Sequence, residues 1–302
     1  MLTRRFAALL LGLALLPPVV TAQEQRKTVR LLTVGNSFSE NATKYLAKIV
    51  EADGNALVHH RCVIGGSGPD QHLAKIAAHE KDPTDKAGLY GTGKSLKQEL
   101  AAEKWDVITI QQASIRSHDV STYRPGMREL YAFIKKHAPA SEVVIHQTWA
   151  YRVDDPRFSG KAEPKTQKAM YDGLSDAYRT IAKELGVRFI PVGDAFYAAD
   201  TDPTWGYKPD TKFDVKTATH PALPDQSHSL HVGWRWENDK SALKLDGHHA
   251  GPAGEYLGGL VFYEFLYGRS AVGNTFRPPG VGEEYARFLQ DTAHQAVGGS
   301  RR

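Results

Sequence analysis

The stretch Val29-Arg30-Leu31-Leu32-Thr33-Val34-Gly35-Asn36-Ser37-Phe38-Ser39 decides how this chain is built. Its first six residues form a short apolar run, closed by Gly35, of the kind that makes a buried strand. Beyond the turn, within residues 41–53, Tyr45, Leu46, Ile49 and Val50 recur at helical spacing. The segment therefore reads strand, turn, helix. The alternation continues, with strands expected at 56–64 (closed by Gly65-Gly66), 106–110, 143–146 and 187–192. Helices are expected from Pro69 onward and over 95–104, 127–137 and 168–185. Strands alternating with helices argue for an α/β chain with three layers, α/β/α, around a mostly parallel sheet of about five strands. Right-handed crossovers leave the flavodoxin-like strand order as the natural topology.

From residue 198 to 245 the periodicity gives way to Pro, Asp, Thr, His and Trp, including Trp205, Trp234 and Trp236. A loop of that length in a compact domain is functional or disordered, and its tryptophans favour order. Regularity returns at 252–267, where Tyr256, Leu257, Leu260, Val261, Tyr263 and Phe265 predict a largely buried terminal helix.

At the other end, Arg4 and Arg5, the apolar stretch 7–16 and Val20-Thr21-Ala22 form the three parts of a secretion signal. Residues 1–22 are expected to be removed on export to the periplasm or beyond, leaving 23–302 as one domain with a continuous core. The apolar stretch is too short to span a bilayer and ends at Pro17-Pro18, so no stable membrane anchor is expected. The net charge of +4 is spread among mixed signs, which gives no footprint for nucleic acid. Cys62 is the only cysteine, so stability must come from packing and not from an intrachain disulfide.

In open parallel sheets the ligand crevice lies beyond the carboxyl ends of the strands. Ser37 stands at such an end, although Asn36 and Ser37 are also ordinary helix caps. Two further turns, Gly65-Gly66-Ser67-Gly68 and Gln111-Gln112-Ala113-Ser114, offer backbone N–H groups and side-chain amides suited to holding an oxyanion. Glycines there can also simply turn the chain. Asp246-Gly247-His248-His249 supplies an imidazole and a carboxylate, which a serine hydroxyl needs to become a nucleophile. The bland reading is that Asp246 caps the next helix.

In order and spacing these pieces resemble the SGNH (GDSL-type) hydrolases, and most closely a bacterial branch whose first block reads Gly-Asn-Ser-Phe-Ser. That branch also carries a Gln-Gln pair and a strand ending in His-Gln-Thr-Trp-Ala-Tyr, here Gln111-Gln112 and residues 146–151. The resemblance implies a serine esterase with Ser37 as nucleophile, His249 as general base and Asp246 as its orienting carboxylate. It implies oxyanion donors at Ser37 N–H and at Gly68 or Gly66. The usual third-block Asn is missing, and Gln112, with Ser114 behind it, is the expected substitute. His248 is the rival base, but the Asp-x-x-His spacing selects His249. Asn36 replaces the usual Asp.

His220, His228 and His231 have spacings that match no compact metal motif, so they are expected to be exposed loop residues; no metal or other cofactor is expected. Trp149 and Tyr151, with the tryptophans of the long loop, suggest aromatic walls and an acylated carbohydrate or other small acyl ester as substrate. The rival readings are an exported carbohydrate-binding module that has lost catalysis, which would not need all three residues, and a lipid or thioester hydrolase, which would need an apolar cleft.

Overall fold

The computed structural model describes residues 26–300, so the signal segment 1–22 lies outside the described residues. β1 (Thr28–Gly35), β2 (Ala56–Val63), β3 (Val107–Ile110), β4 (Glu142–His146) and β5 (Phe189–Ile190) pair in parallel in the order β2-β1-β3-β4-β5. This is the flavodoxin-like order expected from the sequence. β1 lies in the interior of the sheet with Leu31, Leu32 and Val34 buried, as a strand covered on both faces requires.

The parallel crossovers leave the helices in two packed groups. α1 (Ser37–Thr43) and α2 (Leu46–Ala52) pack with α8 (Pro252–Tyr267), which in turn packs against α7 (Val192–Asp200) and α9 (Glu283–Ser300). α3 (Pro69–Lys81), α4 (Leu96–Ala102) and α5 (Gly126–His137) form a second group of mutually packed helices, and α6 (Gln167–Leu185) leads into β5. α8 is buried nearly all round, as its uniformly apolar sequence demands.

Several expectations are corrected. The helix expected at 41–53 is two helices, broken at Lys44-Tyr45. The long region 198–245 is not aperiodic throughout. It holds the end of α7, then β6 (His231–Trp236) and the start of β7 (Leu243–Ala250), which form a separate antiparallel pair. Asp246 and His249 therefore sit on a strand and not on a loop. Nor is 252–267 the terminal helix, because α9 follows, burying Tyr285, Leu289, Ala293 and Val297 at every fourth position. Trp205 stacks on Tyr285 and Phe288 of α9 instead of overlying the strand ends.

Candidate active site

Two contacts bring the ends of β1 and β7 together. α1 crosses α8 where Gly258 faces Ala42 so closely that a Cβ on Gly258 would stand 2.7 Å from the Ala42 Cα. From the same helix, Asn41 Oδ1 accepts the Ala250 N–H at 3.2 Å, tying α1 to the end of β7. On its other side β7 is held by the segment after β4: Arg152 N–H donates to Gly247 O at 2.7 Å and Trp149 Nε1–H to His248 O at 2.9 Å.

The result is that Ser37 Oγ lies 2.9 Å from His249 Nε2, and His249 Nδ1 lies 2.9 Å from Asp246 Oδ2. With Nδ1–H donating to the carboxylate, Nε2 is left as acceptor for the serine hydroxyl. Asp246 Oδ1 also accepts the His249 backbone N–H at 3.0 Å. Burial pushes the Asp246 carboxyl up, but the two imidazoles of His248 and His249 and the His249 N–H outweigh it and hold the group well below the usual carboxylate range. His248 Nδ1 is 2.9 Å from Asp246 Oδ1, and its ring leans on that of His249 with centroids 4.0 Å apart. His249 alone reaches the serine among the two.

The serine opens onto a cleft of about 400 Å³ lined by Gly65, Gly66, Ala113, Ser114, Tyr151 and His248 among others. Gly66 turns the chain there with φ +65°, a conformation suited to glycine, and its N–H and that of Ser37 have no partner among the described residues. Gly68 does not share this position. Its N–H is taken by Gln71 Oε1 at 2.8 Å, and it packs against the Gln112 side chain, where an added Cβ would meet Oε1 at 2.0 Å.

Gln112 is likewise turned from the cleft. Its amide donates to Thr122 O at 2.8 Å and accepts the Ala113 N–H at 2.8 Å, so the expected substitute donor serves the fold beneath the site. Its neighbour Gln111 is the one that touches the Asn36-Ser37 turn. His146 Nδ1–H donates to Gln111 Oε1 at 2.9 Å, Gln111 Nε2–H to Asn36 Oδ1 at 2.8 Å, and Asn36 Nδ2–H to Ser67 O at 2.8 Å. Asn36 Oδ1 also accepts the Phe38 N–H at 2.9 Å, capping α1. Burial pushes the His146 imidazole down to about 3, so it is the neutral tautomer that donates. The Asn36 amide both accepts from Gln111 and donates to Ser67 O, which an ionised Asp carboxylate could not, and this gives Asn36 in place of Asp a physical reason.

Of the expected aromatic walls, Tyr151 lines the cleft, its hydroxyl 3.0 Å from Ser114 Oγ. Trp149 does not: it is 0% exposed, sandwiched between Phe38 and Phe196, and acts through its bond to His248. Arg157, unforeseen from sequence, also lines the cleft, with its guanidinium 3.8 Å above the Tyr151 ring and bonded twice to Asp155. No periodicity marks such a residue. His231 is buried and bonded to Ala150 O, contrary to expectation, whereas His220 is exposed and His228 half-buried. Among the described residues, Asp246, His248 and His249 are the one group close enough to hold a metal, and the serine bond accounts for His249 without one.

Residues 30–209, more than half of the chain, match DUF4886, a domain of unknown function. The chain belongs to the DUF4886 family. A solved DUF4886 protein from Bacteroides uniformis is 25% identical, with a TM-score of 0.70 over 89% of this chain and 95% of that one. No curated protein matches the sequence. Looser likenesses include a candidate SGNH hydrolase from Slackia heliotrinireducens, 20% identical with a TM-score of 0.48, covering 78% of this chain and 98% of that one. Another is an acetyl xylan esterase from Geobacillus stearothermophilus, 13% identical with a TM-score of 0.43, covering 83% of this chain and 97% of that one. Likeness at that level says nothing of the chemistry in this DUF4886 chain. The family match ends before β6 and β7, so Asp246 and His249 lie outside it.

Proposed function

We propose that this DUF4886 protein is a serine ester hydrolase of the SGNH type, exported from the cytoplasm. The observation that carries the reading is the continuous line from Ser37 Oγ through the His249 ring to Asp246 at the wall of an open cleft. Ser37 Oγ attacks the ester carbonyl carbon while His249 Nε2 takes its proton, and Asp246 stabilises the imidazolium. The negative oxygen is held by the free N–H groups of Ser37 and Gly66. As the tetrahedral intermediate collapses, the bond to the alcohol breaks and His249 returns the proton to the departing oxygen. Water, activated by the same imidazole, then releases the acid from Ser37 Oγ.

The substrates are esters of small acyl groups, sugars among their alcohols, because Ser114 and His248 line the cleft as polar partners for the alcohol. Aromatic stacking contributes less to this preference than the sequence suggests, since Trp149 is enclosed. The test is release of acetate or p-nitrophenol from acetyl esters and acetylated polysaccharides by residues 23–302 beside Ser37→Ala. The variant is expected to be at least about a hundredfold slower. Equal rates in the two folded proteins would end the reading. Export is checked separately by the N-terminus of the protein recovered outside the cytoplasm, expected at Gln23; a retained Met1 contradicts it.

A further inference from the structure

A second chamber of about 230 Å³ adjoins the candidate active site and shares Ile115, Tyr151 and Arg157 with it as a common wall. Behind that wall it is lined by Phe158, Met170, Ala162 and Pro164, with the exposed Lys161 and Glu163 as its polar members. Arg157 turns much of its polarity away from the chamber, because its guanidinium stands 3.8 Å over the Tyr151 ring and both Nε and Nη2 are given to Asp155. Tyr151 is fixed in turn by Ser114 Oγ. Ile115, on the shared wall, is 53% exposed, a large apolar side chain left in water directly beside the nucleophile's cleft.

We infer that this chamber receives an apolar arm of the ester, so that the enzyme selects substrates carrying a compact aliphatic or aromatic group over plain acetates. The inference rests on the Ser37 reading for its chemistry, and on the shared wall for its geometry. A cleft of polar partners meets an apolar chamber across three residues, which suits an ester with one polar and one apolar arm. Burying each methylene of that arm is worth about fourfold in binding, so four of them, even partly buried, separate a hexanoate from an acetate by at least tenfold.

The experiment compares kcat/KM along p-nitrophenyl acetate, butyrate and hexanoate, and along ethyl, butyl and benzyl acetate, for the wild type, Ala162→Trp and Ile115→Ser. Both positions are exposed, so both variants are expected to fold. The wild type is expected to prefer the longer member at least tenfold in one series, which shows whether the acyl or the alcohol arm enters. Ala162→Trp fills the chamber and Ile115→Ser removes its apolar rim, and each is expected to lower that ratio at least fivefold. A flat wild-type series, or an unchanged ratio in either variant, overturns the inference. Titration of p-nitrophenyl hexanoate into Ser37→Ala, with and without Ala162→Trp, separates the two ideas. If the wild type hydrolyses no ester, the Ser37 reading falls, whereas the chamber falls only if Ala162→Trp leaves this binding unchanged.

Discussion

Two adjacent glutamines divide the labour beside the Asn36-Ser37 turn. Gln111 bridges His146 and Asn36, whereas Gln112 holds Thr122 O and leaves the cleft to the backbone N–H groups. Gln112→Ala is therefore expected to cost about 1–3 kcal/mol of stability by leaving the buried Ala113 N–H and the half-buried Thr122 carbonyl unpaired, with kcat little changed. A fall of about 10²–10³ in kcat with stability intact would restore Gln112 as an oxyanion donor. Asn36→Asp puts a carboxylate where the Ser67 carbonyl needs a donor, and is expected to lose at least about 1–3 kcal/mol in urea unfolding together with activity. Full stability in that variant would show that the Ser67 bond is dispensable. The grouping of Ser37, Asp246 and His249 was legible in the sequence because an Asp-x-x-His spacing and a strand-end serine are local patterns. Which of two neighbouring glutamines faces the turn was not, since successive residues beyond a strand end follow no fixed alternation once the pleat stops.

At the scale of elements, the reach between Ser37 and His249 is set by how closely α1 approaches α8 and by the clamps on β7. Gly258 provides the close approach, against the Ala42 backbone, while Gly259 makes room for the Ile49 side chain of α2. Gly258→Leu forces those helices apart; overpacking of this kind costs about 1–3 kcal/mol, and here it also displaces Ser37 from His249. The expected outcome is a lower Tm with a disproportionate loss of kcat, and a loss of stability with kcat intact would separate the helix crossing from the site. The sheet and its order could be read in advance because most of its strands are short apolar runs between helices, and the polar β2 still ends at Gly65-Gly66. β6 and β7 could not, because the pair is half-exposed and carries Arg235, Lys244, Asp246, His248 and His249 in place of an apolar run. α9 escaped notice because only one residue in four along it is apolar and buried, too sparse a stripe beside the glycines near its end.

For the whole molecule, buried ionisable groups set how the fold responds to acid. Burial pushes the imidazoles of His72 and His231 down to about 4 and those of His59 and His146 down to about 3. Each is neutral in the folded protein, whereas in the unfolded chain it takes up a proton below about 6.5. The unfolded state then binds more protons, so the stability these groups contribute above that pH is lost as the pH falls toward 4. Asp200 works in the opposite direction. Burial lifts its carboxyl to about 7 against the pull of Gln167 and Arg152, so it is protonated in the fold but ionised when unfolded, and its cost appears as the pH rises from about 4 to 7. Four histidines oppose one aspartate, so acid destabilises the protein. Tm is expected to fall between pH 7 and pH 5. His146→Asn, which keeps an N–H for Gln111 but cannot titrate, is expected to flatten that fall even if it lowers Tm at pH 7, while Asp200→Asn steepens it. An unchanged slope in His146→Asn would mean that its imidazole is reached by protons in the fold after all. Because His146 Nε2 has no partner among the described residues, a proton gained there would be unpaired directly behind Gln111 and Asn36, and activity would be lost reversibly ahead of unfolding.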